Sequence, residues 1–427
     1  MWRIVLTVSL LCWSADGQVT CRNHSGGAVD WYIMYKAPKL KNIGTKGLEY
    51  LYIDSDGKME TSKNHNKLIN NTDGVLGHTL KPLFEPTTSM PEDFGFITYS
   101  DQAPGCNAAD TFGHSKGLVM MNKTSTGVWL LHSLPQFPFL RDQNRFYPSS
   151  GEKYAQTFIC VTFKYAEFKK IGEHLLNIAA FPFDHNIPAD FHKELIDVTE
   201  RTTAPQGRVQ DLKSAAGVSF RSIAKTKYKP KPTGGGRSKG QTTKSPPTAK
   251  GGPSAAKQKK LSDPNRFEGD LYLTIAKEYK TDVRVQTWGC QRDRDGSYCE
   301  KNQRHVININ EVKANLGGGE VRWNTTKDHS KWCISGEKSK IDDLICIADV
   351  NRGLTQYERP GGALCFIHKE ASLLFKGVIA DLDNCPSSSS GAGSKRPRSP
   401  DTDCVPDCDP DCDPDCGDDD PDCTDKA

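Results

Sequence analysis

The stretch Asp328-His329-Ser330-Lys331-Trp332-Cys333 contains a His-Ser-Lys tripeptide that has already occurred once, in Gly113-His114-Ser115-Lys116-Gly117. Successive side chains of a strand point to opposite faces, so each tripeptide places an imidazole and an ammonium on one face and its serine on the other. A single copy is typical of a solvated strand edge. Two copies in one chain predict an internal duplication, with a two-fold site at the junction of its halves.

The segments that follow the two tripeptides share a plan. The first tripeptide continues into an apolar strand, a short turn and an apolar return strand that ends at His132 and Ser133. The second leads through a turn-like segment to a return strand at 344–350 and a polar cluster that contains Asn351. Each half also contains further strand-like runs and segments with helical spacing. These patterns predict strands at 28–36, 48–53, 94–99, 283–288 and 363–367, an apolar run at 154–163, and helices at 168–178, 271–279 and 370–382. They leave open a strand or short helix at 211–224 and a strand or helix at 306–312.

Composition divides the 427 residues into five parts. A charged start, a short apolar run and small polar residues predict a secretory signal peptide at 1–17. Residues 225–260 hold eleven Lys or Arg and no acidic residue, and the last part contains four Pro-Asp-Cys triplets. Both compositions are typical of disordered segments. The predicted order is a signal peptide at 1–17, an N-terminal catalytic half at 18–224, a basic disordered insert at 225–262, a C-terminal catalytic half at 263–385, and an acidic Cys/Asp/Pro-rich disordered tail at 386–427.

An exported chain with this cysteine content is expected to form disulfides, although spacing alone does not give their connectivity. After the signal peptide, no stretch approaches the ~18 apolar residues that cross a bilayer, so we expect no membrane span. Sequons at Asn23, Asn70, Asn122 and Asn324 predict a glycoprotein. These features favour a secreted or lysosomal protein.

Two histidines and two lysines can hydrolyse a phosphodiester without a metal. One imidazole can attack phosphorus, the other can protonate the departing oxygen, and both lysines can stabilise charge on the non-bridging oxygens. The remaining histidines have no comparable setting and are interpreted as surface or capping residues. No His-x-x-x-His or Cys-x-x-Cys spacing indicates zinc, so we expect no metal and no cofactor.

Four segments in the same order resemble the acid deoxyribonuclease II family, a branch of the phospholipase D-like phosphodiesterases. The resemblance covers about residues 20–385 and leaves out the insert and the tail. It implies an α/β fold of two similar halves, each a mixed sheet flanked by helices, packed as a pseudo-two-fold sandwich. The matching segments are Val29-Asp30-Trp31-Tyr32 through Tyr35-Lys36-Ala37-Pro38, Gly113 to Gly117, Trp129-Leu130-Leu131-His132-Ser133-Leu134-Pro135, and Asp328 to Cys333.

The resemblance also implies a function. The implied function is that of a metal-independent endonuclease that cuts DNA at acid pH and leaves 3′-phosphate ends. His114 is then the nucleophile, His329 the general acid, and Lys116 and Lys331 the cations at the phosphate. The wider superfamily places an Asp five positions after each lysine, where this chain has Met121 and Gly336, a departure that argues against phospholipid hydrolysis.

By the same likeness, His132, Ser133 and Asn351 support the phosphate. The disulfides implied are Cys21 to Cys160, Cys333 to Cys346 and Cys299 to Cys365, and Cys106 with Cys290 form a possible additional pair.

A second hypothesis comes from the basic insert. Its charges can hold phosphates without reading sequence, which favours a secreted DNA-binding or effector protein with weak or no catalysis. The acidic tail can also fold back on the insert and compete with DNA. The sequence leaves both possibilities open, along with the choice between a monomer and a homodimer.

Overall fold

The computed structural model describes residues 18–141, 145–202, 207–230, 255–291, 293–336 and 341–385. The predicted signal peptide, the acidic tail and residues 231–254 of the basic insert lie outside these ranges. Among the helices of the described ranges, none has both the length and the apolar character needed to cross a bilayer.

The first part of the chain forms an eight-stranded sheet. Its strands lie in the order β14-β8-β11-β12-β13-β3-β6-β7, and every neighbouring pair is antiparallel. The elements are β1 (Cys21–Arg22), β2 (Ala28–Val29), β3 (Trp31–Lys36), β4 (Lys39–Leu40), β5 (Thr45–Lys46), β6 (Tyr50–Asp54), β7 (Met59–Thr61), α1 (Ser62–His65), α2 (Val75–Leu80), β8 (Phe94–Ser100), β9 (Gln102–Ala103), β10 (Cys106–Asn107), β11 (Lys116–Asn122), β12 (Thr126–His132), β13 (Gln156–Lys164), α3 (Phe168–Asn177), β14 (Pro182–Asn186) and α4 (Lys193–Thr199).

The rest of the chain forms a nine-stranded sheet. Its strands lie in the order β15-β16-β22-β21-β20-β17-β18-β19, with β23 also paired to β18. The elements are β15 (Val209–Lys213), β16 (Ser219–Ala224), α5 (Ala255–Ser262), α6 (Leu271–Glu278), β17 (Val283–Gln286), β18 (Val306–Asn315), β19 (Glu320–Asn324), β20 (Trp332–Ser335), β21 (Leu344–Ala348), α7 (Leu354–Glu358), β22 (Gly362–Ile367), α8 (Lys369–Gly377) and β23 (Ile379–Leu382).

The two sheets share a local plan. The run β8-β11-β12-β13 in the first sheet corresponds to β17-β20-β21-β22 in the second, each a set of antiparallel neighbours in chain order. A helix follows the fourth strand of each run, α3 in one case and α8 in the other. The α/β class predicted from sequence is therefore confirmed. A pseudo-two-fold relation between the halves is consistent with this order and stays a prediction.

A shared core lies between the sheets. Trp31 and Phe366, from β3 and β22, pack with their ring centroids 5.1 Å apart. The alternate residues Tyr32 and Met34 of β3 belong to a second core on the outer face of the first sheet, where α2 packs. A strand buried on both faces has an almost continuous apolar sequence, which explains why this run lacks polar alternation.

Residues 379–382 and the hairpin that precedes the insert differ from the sequence prediction. Residues 379–382, predicted as the end of a helix, form β23, because α8 ends at Gly377 and the chain then pairs with β18. The strands β15 and β16, which precede the insert, pair into the second sheet rather than the first.

Part of the predicted disordered insert is ordered. Lys225 is buried and its Nζ donates to the carbonyl of Tyr357 at 3.0 Å, and Tyr228 is also buried. The end of the insert forms α5. Packing against the second sheet orders these two ends of a segment whose composition is otherwise that of a linker.

One of the three implied disulfides is present. Cys21 and Cys160 are bonded, as expected. The other two pairings are wrong, because Cys346 bonds to Cys365 and Cys299 bonds to Cys385. Cys333, Cys346 and Cys365 lie side by side on three neighbouring strands, so Cys346 has a cysteine on each side and can bond only one of them. Cys333 is left as a buried thiol.

Cys106 and Cys290 are both disulfide-bonded, and their pairing with each other stays a prediction.

His174 of α3 is a buried histidine whose two ring nitrogens have no hydrogen-bond partner among the described residues. Burial lowers its pKa to about 3. The unfolded chain, with an ordinary imidazole, therefore binds a proton that the folded chain excludes, and stability falls as pH drops from about 6.5 towards 3. Between pH 7 and pH 5 this histidine is expected to cost about 2 kcal/mol.

We expect His174→Leu to make the free energy of unfolding less dependent on pH. The loss of stability between pH 7 and pH 5 should shrink by about 2 kcal/mol, because leucine has no proton to exclude. Urea unfolding followed by tryptophan fluorescence at both pH values measures the difference. An unchanged loss of stability would show that His174 is not held neutral in the folded protein.

Candidate active site

Both His-Ser-Lys tripeptides lie at the start of a hairpin. Lys116 is the first residue of β11, which pairs with β12, and Lys331 directly precedes β20, which pairs with β21. His114, Lys116, His329 and Lys331 are all buried, with at most 4% of any of them exposed. The hairpin plan predicted from sequence is present in both halves.

Each half holds the histidine of the other half. The backbone N–H of His114 donates to the carbonyl of Pro360 at 3.1 Å, and that of His329 donates to the carbonyl of Ala155 at 3.0 Å. Pro360 lies just before β22 and Ala155 just before β13, so the two contacts use corresponding positions. One chain therefore brings both tripeptides to the same junction.

The side chain of His114 also contacts the second half. Its Nδ1 lies 2.7 Å from the backbone carbonyl of Asp349. A carbonyl oxygen can only accept, so Nδ1 carries the proton, and the lone pair of the neutral ring is on Nε2. Burial and the neighbouring charges of Lys116 and Lys331 lower the pKa of His114 to about 3, against the opposing effect of Asp101. The imidazole is therefore neutral at moderately acid pH.

Lys116 is held by a buried ion pair. Its Nζ lies 2.9 Å from Oδ1 of Asp101, and Oδ2 of the same carboxylate lies 3.1 Å from Nη2 of Arg359 in the second half. Burial favours the neutral acid, but Lys116, His114 and Arg359 outweigh it and lower the pKa of Asp101 to about 2. Asp101 thus stays charged at acid pH and fixes the position of Lys116.

We expect Asp101→Asn to reduce the turnover of a phosphodiester substrate by up to about 100-fold, because Lys116 loses its charged anchor. Steady-state kinetics on an oligonucleotide at pH 5 measures the change, which should fall on kcat more than on KM. Asp110→Asn is the matched control, since Asp110 also faces Arg359, at 3.8 Å, but is 85% exposed. Equal kinetics for both variants would remove Asp101 from any positioning role.

His329 lies between two aromatic rings. The ring of Tyr154 stacks on it with centroids 3.8 Å apart, and that of Trp288 lies 4.6 Å away at a steeper angle. The backbone N–H of Trp288 donates to Oδ1 of Asn351 at 3.1 Å, and Nδ2 of Asn351 donates to Gln291 at 2.9 Å. Asn351 therefore supports the wall of the site, and its predicted contact with phosphate stays a prediction.

His132 and Ser133 end the first return strand. Nδ1 of His132 accepts from the N–H of Leu134 at 3.2 Å, so Nε2 carries the proton of the neutral ring. That Nε2 is buried and has no hydrogen-bond partner in the described part of the chain. Burial and the charge of Lys116 lower the pKa of His132 to about 3. The hydroxyl of Ser133 instead donates to Gln156, at 2.5 Å.

Sequence reasoning missed Asp101, Asp349, Arg359, Tyr154 and Trp288. Asp349 is buried, and burial raises the pKa of its carboxyl well above the usual range although Lys116 and Lys331 act in the opposite direction. The only sequence feature that pointed to Asp349 was its position in the polar cluster at the end of the second return strand. The other four come from loops or from the opposite half, where no local pattern marks them.

Paired His-x-Lys tripeptides at the junction of two matched sheets are the arrangement of the phospholipase D-like class of proteins. The family model described as Deoxyribonuclease II matches residues 20–385. The chain belongs to the deoxyribonuclease II family, and it is an enzyme of the deoxyribonuclease II type, a hydrolase.

Named relatives align over most of the chain. Human deoxyribonuclease-2-beta is 31% identical over 377 residues, which cover 86% of this chain and 92% of the relative. Porcine (Sus scrofa) deoxyribonuclease-2-alpha is 28% identical, covering 93% of this chain and 98% of the relative. Cell-death-related nuclease 7 of Caenorhabditis elegans is 28% identical, covering 90% and 93%.

Proposed function

We propose that this protein is an endonuclease that hydrolyses DNA at acid pH, without a metal, through a phosphohistidine on His114, and leaves 3′-phosphate ends. The observation that carries the proposal is the contact between Nδ1 of His114 and the carbonyl of Asp349, at 2.7 Å. This hydrogen bond keeps the proton on Nδ1 and the lone pair on Nε2, which is the tautomer that a nucleophilic imidazole needs. It forms at the junction of the two halves. Membership of the deoxyribonuclease II family supports DNA as the substrate.

In the first step, Nε2 of His114 attacks the phosphorus of the scissile bond. The bond to the 5′-oxygen breaks, and His329 gives that oxygen its proton, so that one DNA end leaves with a 5′-hydroxyl. Lys116 and Lys331 lie against the developing charge on the non-bridging oxygens. The other DNA end stays bonded to His114 through its 3′-phosphate.

In the second step, water replaces His114 at phosphorus. His329, now neutral, takes a proton from the water, and the bond between phosphorus and Nε2 breaks. The products are a 3′-phosphate end and a neutral His114, and His329 is again protonated. Every proton is returned, so the cycle needs no co-reactant besides water.

The charge state of His114 suits an acid reaction. Its pKa of about 3 keeps the nucleophile neutral at pH 5. The leaving oxygen needs a protonated imidazole, which acid pH favours. A rate that declines near pH 3, where His114 takes up a proton, follows from the lowered pKa of the nucleophile. Activity at acid pH suits a lysosomal or acid extracellular location, and the disulfides are compatible with export. Of the sequon asparagines, Asn70 and Asn324 are exposed, and Asn23 and Asn122 are half-buried.

Plasmid nicking at about pH 5 in EDTA tests the proposal. We expect full activity in the chelator. The cut DNA should accept a label at its 3′ ends only after a phosphatase removes the 3′-phosphate. Loss of activity in EDTA that returns with added Mg²⁺ would contradict the metal-free mechanism. Cut ends that carry a 5′-phosphate would contradict the assigned leaving group.

The alternative of a DNA-binding or effector protein with weak catalysis rests on the basic insert. Two lysines of α5, at the end of the insert, already face acidic groups: Lys257 lies 2.6 Å from Asp293, and Lys260 lies 2.7 Å from Glu358. Their charge is therefore partly neutralised within the chain. Deleting 231–254 tests what remains, because an unchanged DNA affinity and salt dependence would exclude the insert as a DNA-binding element.

A further inference from the structure

A cluster of metal-ligand side chains lies outside the active site. Three segments converge there: the turn after β1 supplies His24, β7 supplies Glu60, and the end of α1 supplies His65. Nδ1 of His24 and Nε2 of His65 lie 3.2 and 2.7 Å from the same carboxylate oxygen of Glu60. One ligand atom from each residue lies within 4.8 Å of the other two.

We propose that His24, Glu60 and His65 form a binding site for a divalent transition-metal ion of the zinc type. Two imidazoles and one carboxylate are a common ligand set for Zn²⁺, which binds such atoms at about 2.0–2.2 Å and leaves a fourth position for water. Ligand atoms around a tetrahedral ion are then about 3.4 Å apart. The distance between Nδ1 of His24 and the carboxylate oxygen of Glu60, 3.2 Å, is close to that value.

The surroundings of His24 have the form of a metal-bound histidine. Its ring is 2% exposed, and its other nitrogen, Nε2, lies 3.0 Å from the hydroxyl of Tyr50. Histidine ligands usually donate their second ring N–H to an oxygen, which fixes the ring and directs the free nitrogen at the ion. With Nε2 donating to Tyr50, Nδ1 presents its lone pair towards Glu60.

His65 supplies the adjustable ligand. Its ring stacks on that of His24, with centroids 4.0 Å apart and planes 14° from parallel. Parallel rings cannot both aim a lone pair at one ion, so the His65 ring turns when the ion binds. Its side chain is 29% exposed and it ends a helix of only four residues, which leaves room for that rotation.

The nearby charges do not oppose a cation. Lys67 lies near His24 and donates to its carbonyl, but its Nζ also lies 2.8 Å from Asp73. His78 is paired with the same carboxylate, at 3.3 Å. Glu60 therefore contributes a net negative charge to the cluster.

The site is separate from the proposed phosphodiester chemistry. Glu60 lies on β7, an edge strand, and five strand spacings of about 4.8 Å separate it from β11, or roughly 24 Å. An ion at this place would tie the N-terminal turn to β7 and α1, and would raise stability in proportion to its binding. His24, interpreted from sequence as a surface or capping residue, is buried. The fold brings it together with His65 from segments whose spacing resembles no metal motif.

Zinc binding to the full-length protein tests the proposal. The EDTA-treated chain is equilibrated with ZnCl2 at pH 7.5, and bound zinc is measured against free zinc for the wild type, Glu60→Gln and His65→Gln. We expect each variant to bind about one ion fewer per chain, or to bind that ion at least about tenfold more weakly. His78→Gln is the matched control and should bind as the wild type does. Any zinc held by the tail cysteines is common to all four proteins.

Two further measurements guard against misfolding. Nicking activity of the variants at pH 5 should equal that of the wild type, which shows that they are folded. Crystals of the wild type soaked in ZnCl2 should give an anomalous peak between His24, Glu60 and His65. The same zinc stoichiometry and affinity in all four proteins, or no peak at the cluster, would overturn the proposal and leave Glu60 as an acceptor shared by two imidazoles.

Discussion

Replacing His114 by alanine is expected to lower plasmid cleavage at pH 5 by at least about 10⁴-fold, because the reaction loses its nucleophile. Water is the remaining nucleophile, and His329, which activates water in the second step of the proposed mechanism, has to protonate the leaving oxygen in the first. The rate is measured by conversion of supercoiled to nicked plasmid under single-turnover conditions. His185→Ala serves as the control, since this exposed residue lies on β14 and pairs there with β8, away from the two tripeptides.

A substrate with an activated leaving group separates the roles of the two histidines. 4-Nitrophenol leaves without a proton, so thymidine 3′-(4-nitrophenyl phosphate) needs the nucleophile but not the general acid. We expect His329→Ala to release a burst of 4-nitrophenol and to accumulate phosphohistidine, because the second step lacks its base. His114→Ala should give no burst. A burst from His114→Ala and none from His329→Ala would reverse the assignment.

Replacing Asp270 by alanine is expected to lower the free energy of unfolding by about 3–5 kcal/mol, the typical cost of breaking a buried ion pair. Asp270 and Arg352 are both fully buried, and Nε of Arg352 lies 3.0 Å from Oδ2 of Asp270. The other oxygen of Asp270 caps α6 by accepting from the N–H groups of Tyr272 and Leu273, at 2.9 and 3.3 Å. Alanine would leave the guanidinium buried without its counter-charge and the helix without its cap.

Urea unfolding at pH 7 measures this loss. Asp211→Ala is the control, because Asp211 also pairs with an arginine, Arg221, at 2.7 Å, but is 76% exposed. Exposed pairs contribute at most about 1 kcal/mol, so the control should change little. If the two variants lost equal stability, burial of the Asp270 pair would have no energetic consequence.

The local part of the fold was predictable from sequence. The hairpins after each tripeptide were predicted because apolar runs and turns lie next to each other in the chain. Residues 379–382 were not, since their apolar spacing also fits a helix and their partner strand, β18, lies far away in sequence. Two of the implied disulfide pairings were wrong for a related reason. The register places Cys346 between two cysteines, and local sequence holds no information on which one it bonds.

The candidate site was predictable where it repeats and not elsewhere. His114, Lys116, His329 and Lys331 stood out because the same tripeptide occurs twice. The contacts of Asp101 with Arg359 and of Asp349 with His114 depend on how the halves meet. A single aspartate in a loop carries no local sign of such a partner. The same applies to the rings of Tyr154 and Trp288 around His329.

The exchange of backbone hydrogen bonds between the halves bears on how two copies of one tripeptide can differ in their surroundings. His114 and His329 are each anchored by a main-chain carbonyl of the opposite half, from Pro360 and Ala155. Such anchors tolerate any residue identity at the accepting position, so the neighbours of each histidine are free to change. One histidine now has an ionic environment and the other an aromatic one. Two copies of one tripeptide can thus sit at corresponding backbone positions in different chemical surroundings, as the proposed roles of His114 as nucleophile and His329 as general acid require.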